Sequence, residues 1–204
     1  MSAFTRSILR AATLCLVAAV PAQAGDTRSE AIAMLKRDFK PRGIASADWI
    51  VEDGVQAVCN RTGDKPPKEI AQRLEQDQLA DVKWPADGKL LGDWKSGERI
   101  AQDGRGMTWS DRPGAPGGGG CYNCHQIGPN ETSFGTIGPS LYQFGKVRGY
   151  GPDVQRYVYG KIYNAKAYNL CSGMPRFGHA GALTESQIKD LVALLMDPAS
   201  PVNR

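Results

Sequence analysis

Nothing in this 204-residue sequence is apolar for the roughly 20 residues that a membrane-spanning helix needs. The apolar run Ala11–Val20 is half that length before Pro21 interrupts it. No segment alternates apolar and polar residues well enough to predict a sheet, and no internal repeat recurs. Neither sign of charge dominates. Lys and Arg total 25 against 21 Asp and Glu, and 23 against 21 once Arg6 and Arg10 leave with the leader described below. That balance gives no footing for nucleic-acid binding. What remains is the composition of an ordinary soluble protein, and its class is predicted to be mostly α.

What is present begins with an address. Arg6 and Arg10 precede the apolar run, which ends in Ala22-Gln23-Ala24. This predicts a secretory leader over 1–24, cleaved after Ala24, with an uncleaved anchor as the alternative. Cys15 falls inside it, lacks the small residues that lipid attachment wants before it, and is expected to be absent from the mature protein. The mature chain then has no membrane span and is expected in the periplasm. Gly25 to Arg204 is long enough for one domain with a decorated edge, or for a small domain plus an extension.

Within it, Asp26–Lys40 and Pro66–Val82 read as helices. The second starts on prolines, where a missing N–H is harmless. An irregular stretch around Trp49 and Cys59 is expected between them. Apolar spacing is loose (Ile32, Leu35; Ile70, Leu74), as in a helical extension packed onto something larger. A short helix from Ser96 to Gln102 precedes a loop, Asp103–Gly120, with Pro113, Pro116 and four consecutive glycines, which excludes regular structure. Those glycines either let backbone pass close to a large flat group or form a plain linker. Thr184 and Gln187 form a capping box, and Ile188, Leu191, Val192 and Leu195 recur at helical spacing before Pro198, predicting an amphipathic closing helix.

The chemistry is carried by Cys121-Tyr122-Asn123-Cys124-His125. This is the pattern in which two thiols add across the vinyl groups of one haem and the adjacent imidazole reaches the iron. A redox disulfide or half a zinc site also uses Cys-x-x-Cys, but no second pair follows and the next residue is His. An axial imidazole needs its other ring nitrogen bonded to an acceptor. The Gly138-Pro139 turn can supply the Pro139 carbonyl, with Leu141 on the ring edge, unless it is only a turn. The second axial position has five candidates: Met174, His179, Met107, Met196 and Met34. Met174 is favoured because Pro175 and Phe177 stiffen its loop. Met196 and Met34 sit in helices, where methionine usually fills core.

Cys59 and Cys171 are left over in an oxidising compartment and are predicted to pair. Closing so long a loop stabilises by roughly 4 to 5 kcal/mol in the chain-entropy model. A reactive thiol or a second metal at Cys171 is the alternative. The tyrosines from Tyr150 to Tyr168, with Trp109 and Phe134, are expected mostly as core, some of them lining the haem pocket. The basic residues between Lys146 and Arg176 form either a rim for an acidic partner or a solvated face.

At these motifs, together with Gly97, Ile100 and Met174-Pro175, the chain resembles the class I c-type cytochromes over roughly residues 95–197. More narrowly, through the long segment before the haem domain, the glycine-rich approach to Cys121 and the run from Tyr163 to Gly178, it resembles the SoxX family, monohaem subunits of the SoxAX sulfur-oxidising complex. The resemblance implies a helical extension over 25–95 and a cytochrome c domain over 96–204. It implies one haem c attached to Cys121 and Cys124, with His125 and Met174 on the iron. It also implies a periplasmic heterodimer with a SoxA-like monohaem or dihaem subunit, a transient SoxYZ carrier whose cysteine receives thiosulfate, and a downstream acceptor cytochrome. In that family the L-cysteine S-thiosulfotransferase chemistry sits on SoxA, and this chain has no catalytic residue of its own. The chain departs from simple class I cytochromes in the insertion before Cys121 and in the Cys59 and Cys171 pair.

The residues alone give electron transfer, because two protein ligands leave the iron no vacancy for substrate. The chain is then either the electron-accepting subunit of such a complex or a free periplasmic shuttle for other redox partners. The extension favours the first, since a shuttle needs only a small haem domain. A sensor would need a weakly held ligand and an output module, and neither is visible.

Overall fold

A computed structural model describes residues 27–204, which are mostly helical and form no strand. The expected leader, with Cys15, lies outside the described residues. No described helix is long and apolar enough to cross a membrane.

Two units are described. The first holds α1 (Thr27–Asp38), which buries no residue and leaves Met34 exposed. The second runs from Phe39 to Arg204, so residues 39–95 belong to the same compact unit as the segment that follows them.

Its core is a crossing of two helices brought together by one glycine. In α4 (Trp94–Gln102) and α7 (Glu185–Met196), a Cβ at Gly97 would overlap the carbonyl of Asp190, so only glycine permits this approach. Asp93 caps α4 with its carboxylate, while its own N–H donates to Asp190 Oδ1 at 2.8 Å. The predicted capping box starts α7: Gln187 N–H donates to the Thr184 hydroxyl, and the Gln187 side chain accepts from Thr184 N–H. One face of α7 then buries Ile188, Leu191, Val192 and Leu195.

Besides a five-residue helix at Phe144–Arg148, two helices were not anticipated. The stretch around Cys59, expected to be irregular, is α2 (Gly54–Thr62). Asp53 and Gln56 make a reciprocal capping box, and Gly63 closes the helix in the left-handed region. Nine residues are too few to hold a helix in water. Burial of Val55 and Cys59 against Leu170, far away in sequence, stabilises it. The second is α6 (Pro152–Tyr163), which begins on a proline and buries Val158, Tyr159 and Ile162. Between them, α3 (Lys68–Ala80) buries nothing completely, though its Leu74 packs on the Cys59 cluster. The short α5 (Phe144–Arg148) leaves Lys146 and Arg148 exposed.

Candidate functional site

Asp103–Gly120 folds back on the end of α4 before reaching the cysteine motif. Gly119 N–H donates to the Ile100 carbonyl at 2.8 Å and Gly120 N–H to that of Asp103 at 2.9 Å. Gly119 and Gly120 thus pack against the chain's own backbone. Cys121–Asn123 is a single 3-10 turn, and His125 N–H donates to the Cys121 carbonyl at 2.9 Å. That tight winding turns the Cys121 thiol and the His125 ring into one cavity, an apolar, open-sided space. Its walls come from Ala101 of α4, Ile162 of α6 and Leu191, Leu194 and Leu195 of α7, with Ile127, Leu141 and Phe177 between them. Cys124 lies half-buried on the same turn but outside that lining, and neither cysteine of the motif is in a disulfide. Burial pushes the Cys121 thiol up to about 12, so it stays protonated at neutral pH.

The Gly138-Pro139 turn is zipped onto this motif. Gly138 N–H donates to the Cys124 carbonyl at 2.8 Å and Leu141 N–H to that of Gln126 at 2.7 Å. His125 Nδ1 lies 2.7 Å from the Pro139 carbonyl oxygen. A carbonyl only accepts, so Nδ1 carries the proton and Nε2 keeps its lone pair. A Cβ on Gly138 would overlap the imidazole, so the ring is held from the side as well.

Of the five candidate ligands opposite His125, Met174 alone lines the cavity. Met107 is in the exposed loop, and Met196 is buried in α7 outside the cavity lining. Met34 is on α1. His179 is engaged elsewhere: Nδ1 lies 3.3 Å from the Asp81 carboxylate and Nε2 lies 3.3 Å from the Arg176 guanidinium.

The loop presenting Met174 is gripped from both sides. Cys171 is disulfide-bonded to Cys59 of α2, which consumes both sulfurs and leaves neither for a metal. Arg176 donates to Asp53, the cap of α2, and to Gln78 Oε1 of α3 at 3.4 Å. Leu170 N–H donates to Glu75 Oε1 of α3 at 2.9 Å. Burial by itself would raise the Asp53 carboxyl, but the Gln56 N–H and the Arg176 guanidinium outweigh it and hold the group below the usual carboxylate range. Sequence reasoning missed Asp53, Glu75 and Gln78. Only Asp53 left a signal, as an Asp three residues before Gln56 at a helix start.

The expected basic rim shrinks for the same reason. Arg176 is paired, Lys166 is buried with Nζ 3.0 Å from the Leu170 carbonyl, and Arg156 stacks on Trp84 at 3.7 Å. Tyr159 and Tyr163 are core, and no tyrosine lines the cavity.

No family model matches the chain. Over 158 residues it is 37% identical to a protein of Aquifex aeolicus (strain VF5) named "Uncharacterized lipoprotein", spanning 75% of this chain and 73% of that protein. The chain belongs to the family of that lipoprotein.

In this member of the family, the cavity offers an imidazole nitrogen, a thioether and a thiol among hydrocarbon, and no carboxylate lines it. Hard cations such as Mg2+ or Ca2+ want oxygen donors, whereas imidazole and thioether suit iron or copper. The apolar walls suit a largely hydrocarbon ligand that carries such a metal.

Proposed function

We propose that this chain is an exported monohaem c-type cytochrome whose role is electron transfer. The single observation that carries the reading is the cavity shared by Cys121, His125 and Met174, with the Pro139 carbonyl behind the imidazole. Cys121 and Cys124 would hold one haem c through thioether links, with His125 Nε2 and Met174 Sδ as axial ligands. Such a group supplies a one-electron iron couple, and a thioether ligand favours its ferrous state. The chain's own residues do the rest. Pro139 fixes the tautomer and makes Nε2 the better donor, while Leu141, Leu191 and Leu195 line the centre with hydrocarbon. With both axial ligands coming from the chain, it needs no substrate site and no catalytic residue.

On the resemblance, the chain works as the electron-accepting subunit of a SoxAX-type complex: a heterodimer with a SoxA-like subunit, acting on a SoxYZ carrier and passing electrons to another cytochrome. The free periplasmic shuttle is favoured by one observation. Part of the extension packs on the chain's own Met174 loop, and so does not require a partner to explain it. The relative's name, a lipoprotein, supports export to a secreted or membrane-anchored state; cleavage after Ala24 and release into the periplasm is the finer proposal.

The test is expression in a bacterium that matures c-type cytochromes. A red product with the mass of one added porphyrin, lost in Cys121→Ala/Cys124→Ala, supports the reading, and a colourless product of bare polypeptide mass defeats it. Purification from native periplasm separates the partner readings: a one-to-one second haem polypeptide marks the subunit, and a lone monomer the shuttle.

A further inference from the structure

Three features of the extension converge on one seven-residue loop, 170–176. Asp53 and Gln78 reach Arg176, Cys59 is bonded to Cys171, and Glu75 takes the N–H of Leu170. Met174 lies between the two tethers, and its N–H donates locally to Ser172 Oγ at 3.2 Å. None of residues 172–175 is fully buried: Gly173 and Pro175 are exposed, and Met174 is half-buried where it packs against the main core. Residues 53–78 hold the loop at both ends, on either side of Met174.

We infer that residues 53–81 are a clamp that holds the thioether of Met174 at the cavity, with Asp53 and Gln78 as positioning residues acting through Arg176. This rests on the proposed haem ligation by Met174. The Arg176 side chain is only 14% exposed, so its pairing with Asp53 is largely sheltered from water. Its two forks divide the work: one nitrogen takes Asp53, while the other faces Gln78 and His179. Because a guanidinium only donates, His179 accepts through Nε2 and keeps its proton on Nδ1, towards Asp81. His179 thus belongs to the clamp and not to the iron.

A clamp predicts that loosening either tether raises the fraction of molecules in which the sulfur has left the metal, without unfolding the helices. External imidazole binds only that fraction, so its apparent affinity reads the clamp. The experiment uses the mature haem-loaded protein in five forms: unsubstituted, Asp53→Asn, Asp53→Glu, Gln78→Ala and Met174→Ala. Asn is as good a helix cap as Asp, so Asp53→Asn keeps α2 capped while weakening the grip on Arg176. Gln78→Ala leaves the cap untouched altogether.

Asp53→Asn and Gln78→Ala are each expected to bind imidazole about tenfold more tightly, to lose intensity in the ferric sulfur-to-iron charge-transfer band, and to keep their helical circular dichroism. Asp53→Glu is expected to recover part of both signals. Affinity within about twofold of the unsubstituted protein and an undiminished band in both Asp53→Asn and Gln78→Ala would overturn the clamp. Met174→Ala serves as the control. If the unsubstituted protein has no such band, or Met174→Ala binds imidazole no more tightly than it does, the ligand assignment itself fails and the clamp falls with it.

Discussion

A ring nitrogen held at 2.7 Å by a carbonyl, with a glycine against its face, leaves His125 almost no freedom to rotate. Adding one methyl at position 138 must move either the imidazole or the turn that the Cys124 carbonyl anchors. Gly138→Ala is therefore expected to destabilise the fold by about 1–3 kcal/mol, the usual effect of overpacking. Denaturant titration checks it, with Ser140→Ala as an exposed neighbour expected to change little. Met174 carries the other half of the site. Met174→His should lower the midpoint potential markedly, since a second imidazole stabilises the ferric state, and should abolish the sulfur-to-iron band. Redox titration and a ferric absorption spectrum read both, and an unchanged spectrum removes Met174 from the iron.

Among the elements, α7 is the one whose local chemistry and packing agree most fully. Its capping box starts it, its apolar stripe faces α4 and α6, and its Gln187 side chain also donates to the Gly117 carbonyl at 2.8 Å. Thr184→Ala should cost about 1 kcal/mol, the ordinary loss of an N-cap, measured as a drop in unfolding midpoint. The helix α2 depends instead on its covalent tie. Cys59 and Cys171 are 112 residues apart in sequence, so the bond restricts a long stretch of unfolded chain. The double substitution Cys59→Ala/Cys171→Ala is expected to cost about 2–5 kcal/mol by the same titration. Proteolysis should then cut first around residues 50–65, because a nine-residue helix is too short for its caps alone to hold it in water.

For the molecule as a whole, the Asp53 and Arg176 pair links acid sensitivity to the joint between residues 53–81 and the Met174 loop. The Asp53 carboxyl is held below its ordinary value of 3.8 in the fold. Its contribution is therefore fully present above that value and is lost as pH falls through the lower, folded one. Stability measured from about pH 6 down to about pH 3 should fall more steeply for the natural chain than for Asp53→Asn, and the two curves should converge at the acid end. Parallel curves would mean that the pair adds nothing to the joint. The same joint alters the case for a permanent partner, because residues 53–81 already have an internal surface to cover.

Some of this was written in short-range pattern. The spacing Cys121-x-x-Cys124-His125 winds one turn whatever surrounds it, a Gly-Pro turn exposes a carbonyl, and the Thr184 capping box and the apolar stripe of α7 need only their own neighbours. So the mostly helical class, the closing helix and the cavity residues Cys121, His125, Leu141 and Met174 were legible in sequence. Tertiary structure alone decided α2 and α6, short helices whose buried faces meet residues far along the chain, and the grip of Asp53, Glu75 and Gln78 on the Met174 loop. Those contacts cross more than 90 positions, and a single sequence carries no periodicity over such a distance. Only the folded chain, where Leu170 and Arg176 come to rest on α2 and α3, makes partners of them.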